Sequence, residues 1–342
     1  MLAEIAVLPG VFDERKFSDI REWTQQLRFL KLALFPSTAA SPYFVSNLHS
    51  GNLIELTRSI AENATDSSAK RICLDLLKLL ERVAVFRPAC EDYPKEDDLA
   101  WIQEAAKSDK SEAIERVIAP PCVMTEAKNR FGKRTFCLCG FDEDQFAKDI
   151  GSSWTPTMNV LSQVESIRKI CVHCGFICIA SPYIDGGEDD DTNFVIEVLK
   201  SVRDRPKGFH PVDIQVQFAA PDKPTNIDFR DRLSRKARNI SKSLRDAMGE
   251  SFDAELVARP EFKDRYIFAG FRTESSRKTK QTAIRWGVYL GHIARRGDDR
   301  KNLPMTNWHL LSSLDILKNF ENFDTLQNPP ILSSRVSELL HG

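Results

Sequence analysis

The sequence has no apolar run near the length of about 18 residues that a membrane-spanning helix requires, so we expect no membrane contact. Its first residues lack a basic segment followed by a long apolar run, which argues against a secretory signal. Neither charge dominates, since 48 basic residues oppose 49 acidic ones. Net charge is therefore no evidence for or against nucleic acid, and only a local basic patch can be. With 15 Gly and 17 Pro, the chain is not of low complexity.

The eight cysteines lie mostly within apolar runs rather than in loops of the kind that disulfides close. This pattern favours a reducing compartment, and we expect the protein in the cytoplasm. Cys137 and Cys139, together with Cys171, His173 and Cys174, are the residue types of a zinc site. Because their spacing does not give two C-x₂-C pairs, we expect small core side chains and neither a metal nor another cofactor.

Apolar residues recur at three- and four-residue steps in the first third of the chain. They do so in residues 18–36 and again in residues 69–85. This period places them on one face of a helix. The pair Pro120 and Pro121 is the best candidate boundary. We therefore predict a helical docking domain over residues 1–119.

The periodicity changes after this boundary. Residues 123–128 and 134–141 are short strand-like runs around a plausible hairpin loop, and residues 228–248 form a long amphipathic helix. Strands alternate with helices through the rest of the chain. This order predicts an α/β (α+β) domain over residues 120–342, with a mixed sheet flanked by helices.

One run stands out within this second domain. Residues 176–180 are apolar and largely β-branched, and Ser181, Pro182 and Tyr183 end the run. A short apolar run with such limits is typical of a strand buried on both faces. The acidic, Gly-rich residues 185–191 that follow predict a solvated loop.

A helix leading into FICIASPYID is followed by a helix, a strand, a long helix, a strand and then FKDRYI at Phe262–Ile267. This order resembles the phospholipase D-like fold, in particular its single-copy, motif-degenerate bacterial branch. Pro182 and Tyr183 match the "PY" that this branch often carries at the end of the strand. The resemblance covers roughly residues 123–320 and implies the phospholipase D-like fold for the second domain.

Active members of that family use a histidine nucleophile and a lysine that holds the phosphate. Here Lys263 stands at the histidine position, Arg265 at the lysine position and Gly270 at the position of the family's aspartate. Lysine cannot replace a phosphoryl-accepting imidazole. The resemblance therefore implies a pseudoenzyme without catalytic residues. Asp264 and Arg265 are instead candidates for a structural ion pair. The alternative is a nuclease or phosphodiesterase with a rearranged site around Lys263, Asp264, Arg265 and a nearby histidine.

Basic residues cluster on the predicted long helix and in the polar segment 272–280. If they converge, they form a surface that follows a phosphate backbone without reading sequence. The alternative is an ordinary charged helix face with adjacent loops. The candidate nucleic-acid-binding residues are Arg232, Arg235, Lys236, Lys242, Arg245, Arg277, Lys278 and Lys280.

By analogy at the level of the fold, the resemblance implies a non-catalytic subunit of a bacterial antiviral-defence or DNA-processing complex. Its expected partners are an ATPase or nuclease subunit of the same system and the DNA backbone. A homo-oligomer is a further option. A scaffold that binds only protein, without DNA contact, is the other alternative.

Overall fold

The computed structural model describes residues 2–35, 43–90, 97–139, 159–209, 212–221, 228–271, 283–291, 293, 308–325 and 327–341. The chain divides into two compact units. The first comprises Met1–Ser153 with the segment Pro206–Phe209, and the second comprises Trp154–Arg205 with His210–Gly342. Within the described ranges, no helix is both long enough and apolar enough to cross a bilayer.

The first unit contains a five-stranded sheet in which every pair of neighbours is parallel. Its strands are β1 (Ala3–Val7), β2 (Tyr43–Asn47), β3 (Ala84–Phe86), β4 (Arg116–Ala119) and β5 (Thr135–Cys137). The strand order is β3-β2-β1-β4-β5, so the direction of winding reverses between β1 and β4. This is the arrangement of a doubly wound α/β sheet.

Helices occupy the connections between these strands, as parallel pairing requires. They are α1 (Ile20–Leu34), α2 (Asn52–Glu62), α3 (Ser67–Val83), α4 (Asp98–Ser111) and α5 (Met124–Phe131). Helix α1 begins where the Asp19 carboxylate accepts the backbone N–H groups of Arg21 and Glu22. Its buried residues follow the predicted helical spacing and are Trp23, Leu27, Leu30 and Leu34.

The strands of the first unit correct the prediction that residues 1–119 are purely helical. The helices predicted in residues 18–36 and 69–85 are present, but four strands lie among the helices. The short helix expected around residues 112–117 is wrong, because β4 begins at Arg116. Strand β1 is buried at every position, and β3 has only three residues. A short parallel strand buried on both faces shows no alternation of polar and apolar residues, so periodicity did not detect it.

The first unit also extends beyond the predicted boundary at residue 119. Strand β5 pairs in parallel with β4, which places Thr135–Cys137 in the sheet of the first unit. The predicted strand over residues 123–128 is wrong, because these residues belong to a 3₁₀ turn and to α5. The two prolines therefore mark a strand-to-helix turn inside a domain, where proline at the start of a helix is well tolerated.

A buried ion pair lies in the core of the first unit. The Arg87 guanidinium, which follows β3, donates to both carboxylate oxygens of Glu4 on β1 at 2.7 and 2.5 Å, and both side chains are 0 % exposed. Ser46 on β2 also donates to Glu4, and Arg87 donates to the carbonyls of Ser108 and Glu112 at the end of α4. The pair therefore links three strands to one helix, and removal of either partner would leave a buried charge.

The second unit contains a seven-stranded mixed sheet in the order β11-β10-β9-β6-β7-β8-β12. Strands β6, β7 and β8 are mutually parallel neighbours, and the other pairs are antiparallel. The strands are β6 (Phe176–Ala180), β7 (Asp213–Ala219), β8 (Glu255–Arg259), β9 (Arg265–Phe271), β10 (Ala283–Leu290), β11 (His309–Leu310) and β12 (Leu332–Arg335). The helices are α6 (Val160–His173), α7 (Asp190–Arg203), α8 (Asp228–Met248), α9 (Ser313–Phe320) and α10 (Val336–His341).

The two strongest predictions for the second unit are confirmed. Strand β6 is central in the sheet and buried at all five positions. Helix α8 spans the predicted residues 228–248. It buries the predicted apolar stripe, which consists of Leu233, Ala237, Ile240, Leu244 and Met248.

Candidate functional site

Three segments meet at the sheet edge where β6 ends and β9 begins. The antiparallel register pairs Ala180 with Tyr266, so Ser181 after β6 and Arg265 at the start of β9 lie at the same edge. The Arg265 guanidinium donates to both carboxylate oxygens of Asp191, in the first turn of α7, at 2.7 and 3.1 Å. Ser181 Oγ donates to the same carboxylate. The edge thus holds a bidentate ion pair, the strongest geometry for arginine and carboxylate.

The Arg265 guanidinium is enclosed as well as paired. Its carbon lies 4.3 Å from the ring centroid of Tyr183, and its remaining amino group donates to the Gly291 carbonyl at 3.2 Å. The Arg265 side chain is 19 % exposed and that of Asp191 is 7 % exposed. Arg265 stands where the resemblance expects the residue that holds the phosphate. Its guanidinium instead donates to the Asp191 carboxylate and to the Gly291 carbonyl.

The two residues before Arg265 in FKDRYI face solvent. Lys263 and Asp264 are exposed. The expected ion pair between Asp264 and Arg265 is wrong, because Arg265 pairs with Asp191 instead. Among the described residues, the groups in contact with the Arg265 guanidinium are a carboxylate, a carbonyl and an aromatic ring. An imidazole nucleophile is not among them.

The acidic loop between β6 and α7 is held by its own hydrogen bonds and by α8. The Asp189 carboxylate accepts the backbone N–H groups of Asp185, Gly187 and Thr192, which caps α7. Gly186 has φ +79°, and its carbonyl accepts a hydrogen bond from Ser243 Oγ at 2.6 Å. The Asp189 carboxylate therefore holds the loop and the start of α7 together. Within the described residues, no group of three or more His, Cys, Asp or Glu could hold a metal ion.

Helix α8 separates the predicted basic residues into two groups. Arg235 and Lys242 are exposed on its outer face. Lys236 turns toward the acidic loop, where its Nζ lies 3.6 Å from Asp185 Oδ1 and its side chain is 16 % exposed. Sequence analysis left Arg238 out of the candidate set, but the structure exposes it on the face of Arg235 and Lys242.

The other candidates contribute less to a solvent-facing surface. Arg232 lies 3.6 Å from Asp228, and Arg245 is half-buried. Arg277, Lys278 and Lys280 lie outside the described residues. The helix as a whole carries seven basic and three acidic residues, so the outer face has a local positive charge that the neutral total conceals.

The cysteines of the zinc alternative belong to different units. Cys137 is on β5 and Cys139 follows it, whereas Cys171 and Cys174 lie at the end of α6. Burial raises the pKa of the Cys174 thiol to about 12 and that of Cys139 to about 11. Metal ligation requires the thiolate, so these environments disfavour it.

Sequence analysis missed a crevice in the first unit. Doubly wound sheets bind ligands outside the carboxyl ends of their strands, near the point where the order reverses. There Asp98, in the first turn of α4, accepts the N–H of Gly10 at 3.2 Å and pairs with Lys16 at 3.0 Å. Cys122, after β4, lies 3.8 Å from the same carboxylate. In the sequence, Asp98 is only one more acidic residue at the start of a helix, where aspartate is common. No sequence motif identified it as part of a site.

Comparison with known protein families and with characterised proteins finds no match for this chain. The class that the structure defines is α/β, with a sheet and surrounding helices in each unit. The phospholipase D-like resemblance remains a prediction from the motifs. Function must be inferred from the arrangement of the side chains.

Proposed function

We propose that the second unit is a non-catalytic module that binds the DNA backbone as part of a bacterial defence or DNA-processing complex. The observation that carries this proposal is the exposed basic face of α8. Arg235, Arg238 and Lys242 are spaced by three and four residues, which places them on one side of the helix. Exposed cations in a row can neutralise successive phosphates without reading bases.

The ion pair at the sheet edge supports the non-catalytic part of the proposal. Phosphoryl transfer by the family's route needs a nucleophile and a free cation that act together. Lys263 stands at the position of the family's histidine nucleophile. The Arg265 guanidinium is ion-paired with Asp191 and is therefore not a free cation. A protein partner, an ATPase or nuclease subunit, follows from fold-level analogy alone.

Charge reversal on α8 tests the DNA contact. In the triple variant Arg235→Glu, Arg238→Glu and Lys242→Glu, we expect affinity for a labelled duplex to fall at least about tenfold, because three phosphate contacts are lost. The slope of log affinity against log salt, measured by fluorescence anisotropy between about 50 and 200 mM salt, should decrease by about three.

The matched control reverses three exposed basic residues of the first unit, Arg21, Arg28 and Lys110. It should bind DNA like the unaltered protein. Equal binding by the α8 variant, or no DNA binding at low salt, would refute the proposal and leave the protein-binding scaffold.

Catalysis is tested with plasmid DNA and a phosphodiester reporter, each with divalent metal and with chelator. We expect no cleavage above the buffer blank. Cleavage that Lys263→Ala or Asp264→Ala abolishes would establish the rearranged nuclease instead.

A further inference from the structure

One exposed aromatic side chain lies beside the ion pair at the edge of the second sheet. Tyr183, which follows β6, is 53 % exposed, whereas the other large apolar side chains that the described residues expose are all aliphatic. Aromatic rings usually bury most of their surface in a core or in an interface. A tyrosine left in solvent is therefore a candidate contact for a ligand, and tyrosine is enriched among the residues that dominate binding energy.

The ring of Tyr183 is held in a fixed position. The Arg265 guanidinium carbon lies 4.3 Å from the ring centroid, and Asp191 and the Gly291 carbonyl hold that guanidinium in turn. The Tyr183 backbone N–H donates to Ser181 Oγ at 3.3 Å. A cation thus covers one face of the ring, and the exposed part of the side chain is left for another planar group. Because the ring is already ordered, stacking on it costs little conformational entropy.

The acidic loop brings Tyr183 close to α8. Asp185 is two residues further along the chain, and its Oδ1 lies 3.6 Å from Lys236 Nζ. The next residue, Gly186, accepts a hydrogen bond from Ser243 Oγ at 2.6 Å through its carbonyl. Two residues of extended chain span about 7 Å at most. Tyr183 therefore lies beside the helix whose exposed basic face carries the proposed phosphate contacts.

The charges around Tyr183 favour a base over a phosphate. Asp191 and Asp185 have cationic partners, but Glu188 of the same loop is exposed and adds negative charge. A phosphate directly over this loop would be repelled, whereas a nucleobase is uncharged. The bases of a duplex are paired inside the double helix, but an unpaired base of a single strand can turn out and stack on an aromatic ring. The arrangement therefore favours a single strand.

We propose that Tyr183 is a stacking platform for an unpaired base of single-stranded DNA whose phosphates lie along the basic face of α8. This inference rests on the proposed function, because α8 supplies the phosphate contacts, and it adds a preference for single strands over duplex. Arg265 is a positioning residue that holds the ring from its other face. Every base has a π-face, so the platform accepts bases without reading sequence.

Fluorescence anisotropy with a labelled oligothymidine, and with a duplex of the same length, tests the platform in the full chain. We expect the single strand to bind more tightly than the duplex. Tyr183→Ala should weaken binding of the oligothymidine about tenfold, as expected for the loss of one stacked base, and should leave duplex binding unchanged. The slope of log affinity against log salt should stay as in the unaltered protein, because no phosphate contact is lost.

Two variants and one further probe serve as controls. Tyr183→Phe keeps the ring and should bind the oligothymidine like the unaltered protein. Leu161→Ala changes another exposed apolar residue of the second unit, at the start of α6, and should also have no effect. An abasic single strand of the same length has nothing to stack, so Tyr183→Ala and the unaltered protein should bind it equally.

Each of the remaining outcomes counts against the platform. If the triple α8 variant weakens oligothymidine binding but Tyr183→Ala does not, this inference falls and the α8 contact stands. If Tyr183→Ala weakens the abasic strand as much as the oligothymidine, the residue supports the fold rather than a base, and the inference is overturned. If neither nucleic acid binds, the proposed function is refuted and this inference with it.

Discussion

Gly186 shows how a single residue sets the position of the acidic loop on α8. Its positive φ is a conformation that residues with a Cβ adopt at a cost. An added Cβ would also lie 2.3 Å from backbone atoms of Asn239 and Ile240. The loop can therefore approach the helix this closely only with glycine at this position.

Gly186→Ala should lower the free energy of unfolding by about 2 kcal/mol or more, because it adds left-handed strain to a steric clash with backbone. Urea denaturation followed by circular dichroism measures this. Gly187→Ala is the control, since its Cβ would meet no atom within 4 Å and its φ is not in the left-handed region. Equal effects of the two substitutions would contradict the assigned contact.

Arg265 illustrates what can be inferred about single residues from sequence. The residue types at Lys263 and Arg265 are visible in the sequence, and only their resemblance to a family motif suggested a role for them. The partner of Arg265 is not visible, because Asp191 lies 74 residues away and only the antiparallel pairing of β6 with β9 brings the two together.

At the scale of elements, an ion pair joins α4 to the strand at the edge of the first sheet. Arg134, directly before β5, donates to both oxygens of Asp109 on α4 at 2.7 and 2.9 Å. Burial alone would raise the pKa of Asp109, but hydrogen bonds from Arg134 and from the Ile114 N–H lower it below its ordinary value of 3.8. The ionised form therefore stabilises this junction.

The sign of the pH dependence follows from the lowered pKa. A carboxyl with a lower pKa in the folded state adds stability above its unfolded pKa, near 3.8, and loses it as pH falls through the folded value. Asp109→Asn should cost about 1 kcal/mol at pH 7, a modest figure because Arg134 is partly exposed and solvent screens the pair.

Denaturation of the wild type and of Asp109→Asn at several pH values measures the difference between their free energies of unfolding. This difference should shrink below about pH 4 and vanish in stronger acid. Asp75→Asn serves as control, because Asp75 is 45 % exposed and lies 4.0 Å from Lys78. A difference that stays constant with pH would show that ionisation of Asp109 does not matter.

The helices and strands of this protein differ in how strongly their own sequences predict them. Helices α1, α3 and α8 have capped or periodic sequences, and the sequence predicted each of them. Strands β1 to β4 have three to five residues each and lie between helices in a parallel sheet. Such strands form their hydrogen bonds only with strands that are distant in the sequence. The local pattern of polar and apolar residues therefore does not identify them.

At the scale of the whole molecule, each unit has its own sheet and its own set of surrounding helices. Units of this kind are expected to unfold as separate cooperative transitions. The buried Glu4–Arg87 pair offers a way to perturb one of them alone, because both partners lie in the core of the first unit.

Arg87→Met should destabilise the first unit by about 3–5 kcal/mol, since Glu4 would remain buried without its partner. Scanning calorimetry should show one transition moved to lower temperature and the other unchanged. Arg58→Met is the control in the same unit, because the side chain of Arg58 is 51 % exposed where it pairs with Glu81. A single transition that shifts as a whole would show that the units unfold together.

The amino-acid sequence by itself determined the helix faces, the buried strand Phe176–Ala180 and the α/β class. These properties depend on residues within one turn or one strand of each other, so local spacing encodes them. Only the tertiary structure decided the parallel sheet of the first unit, the partner of Arg265 and the crevice at Asp98. Each of these joins residues far apart in the chain, and long-range pairing is set by the packing of whole elements rather than by any local pattern.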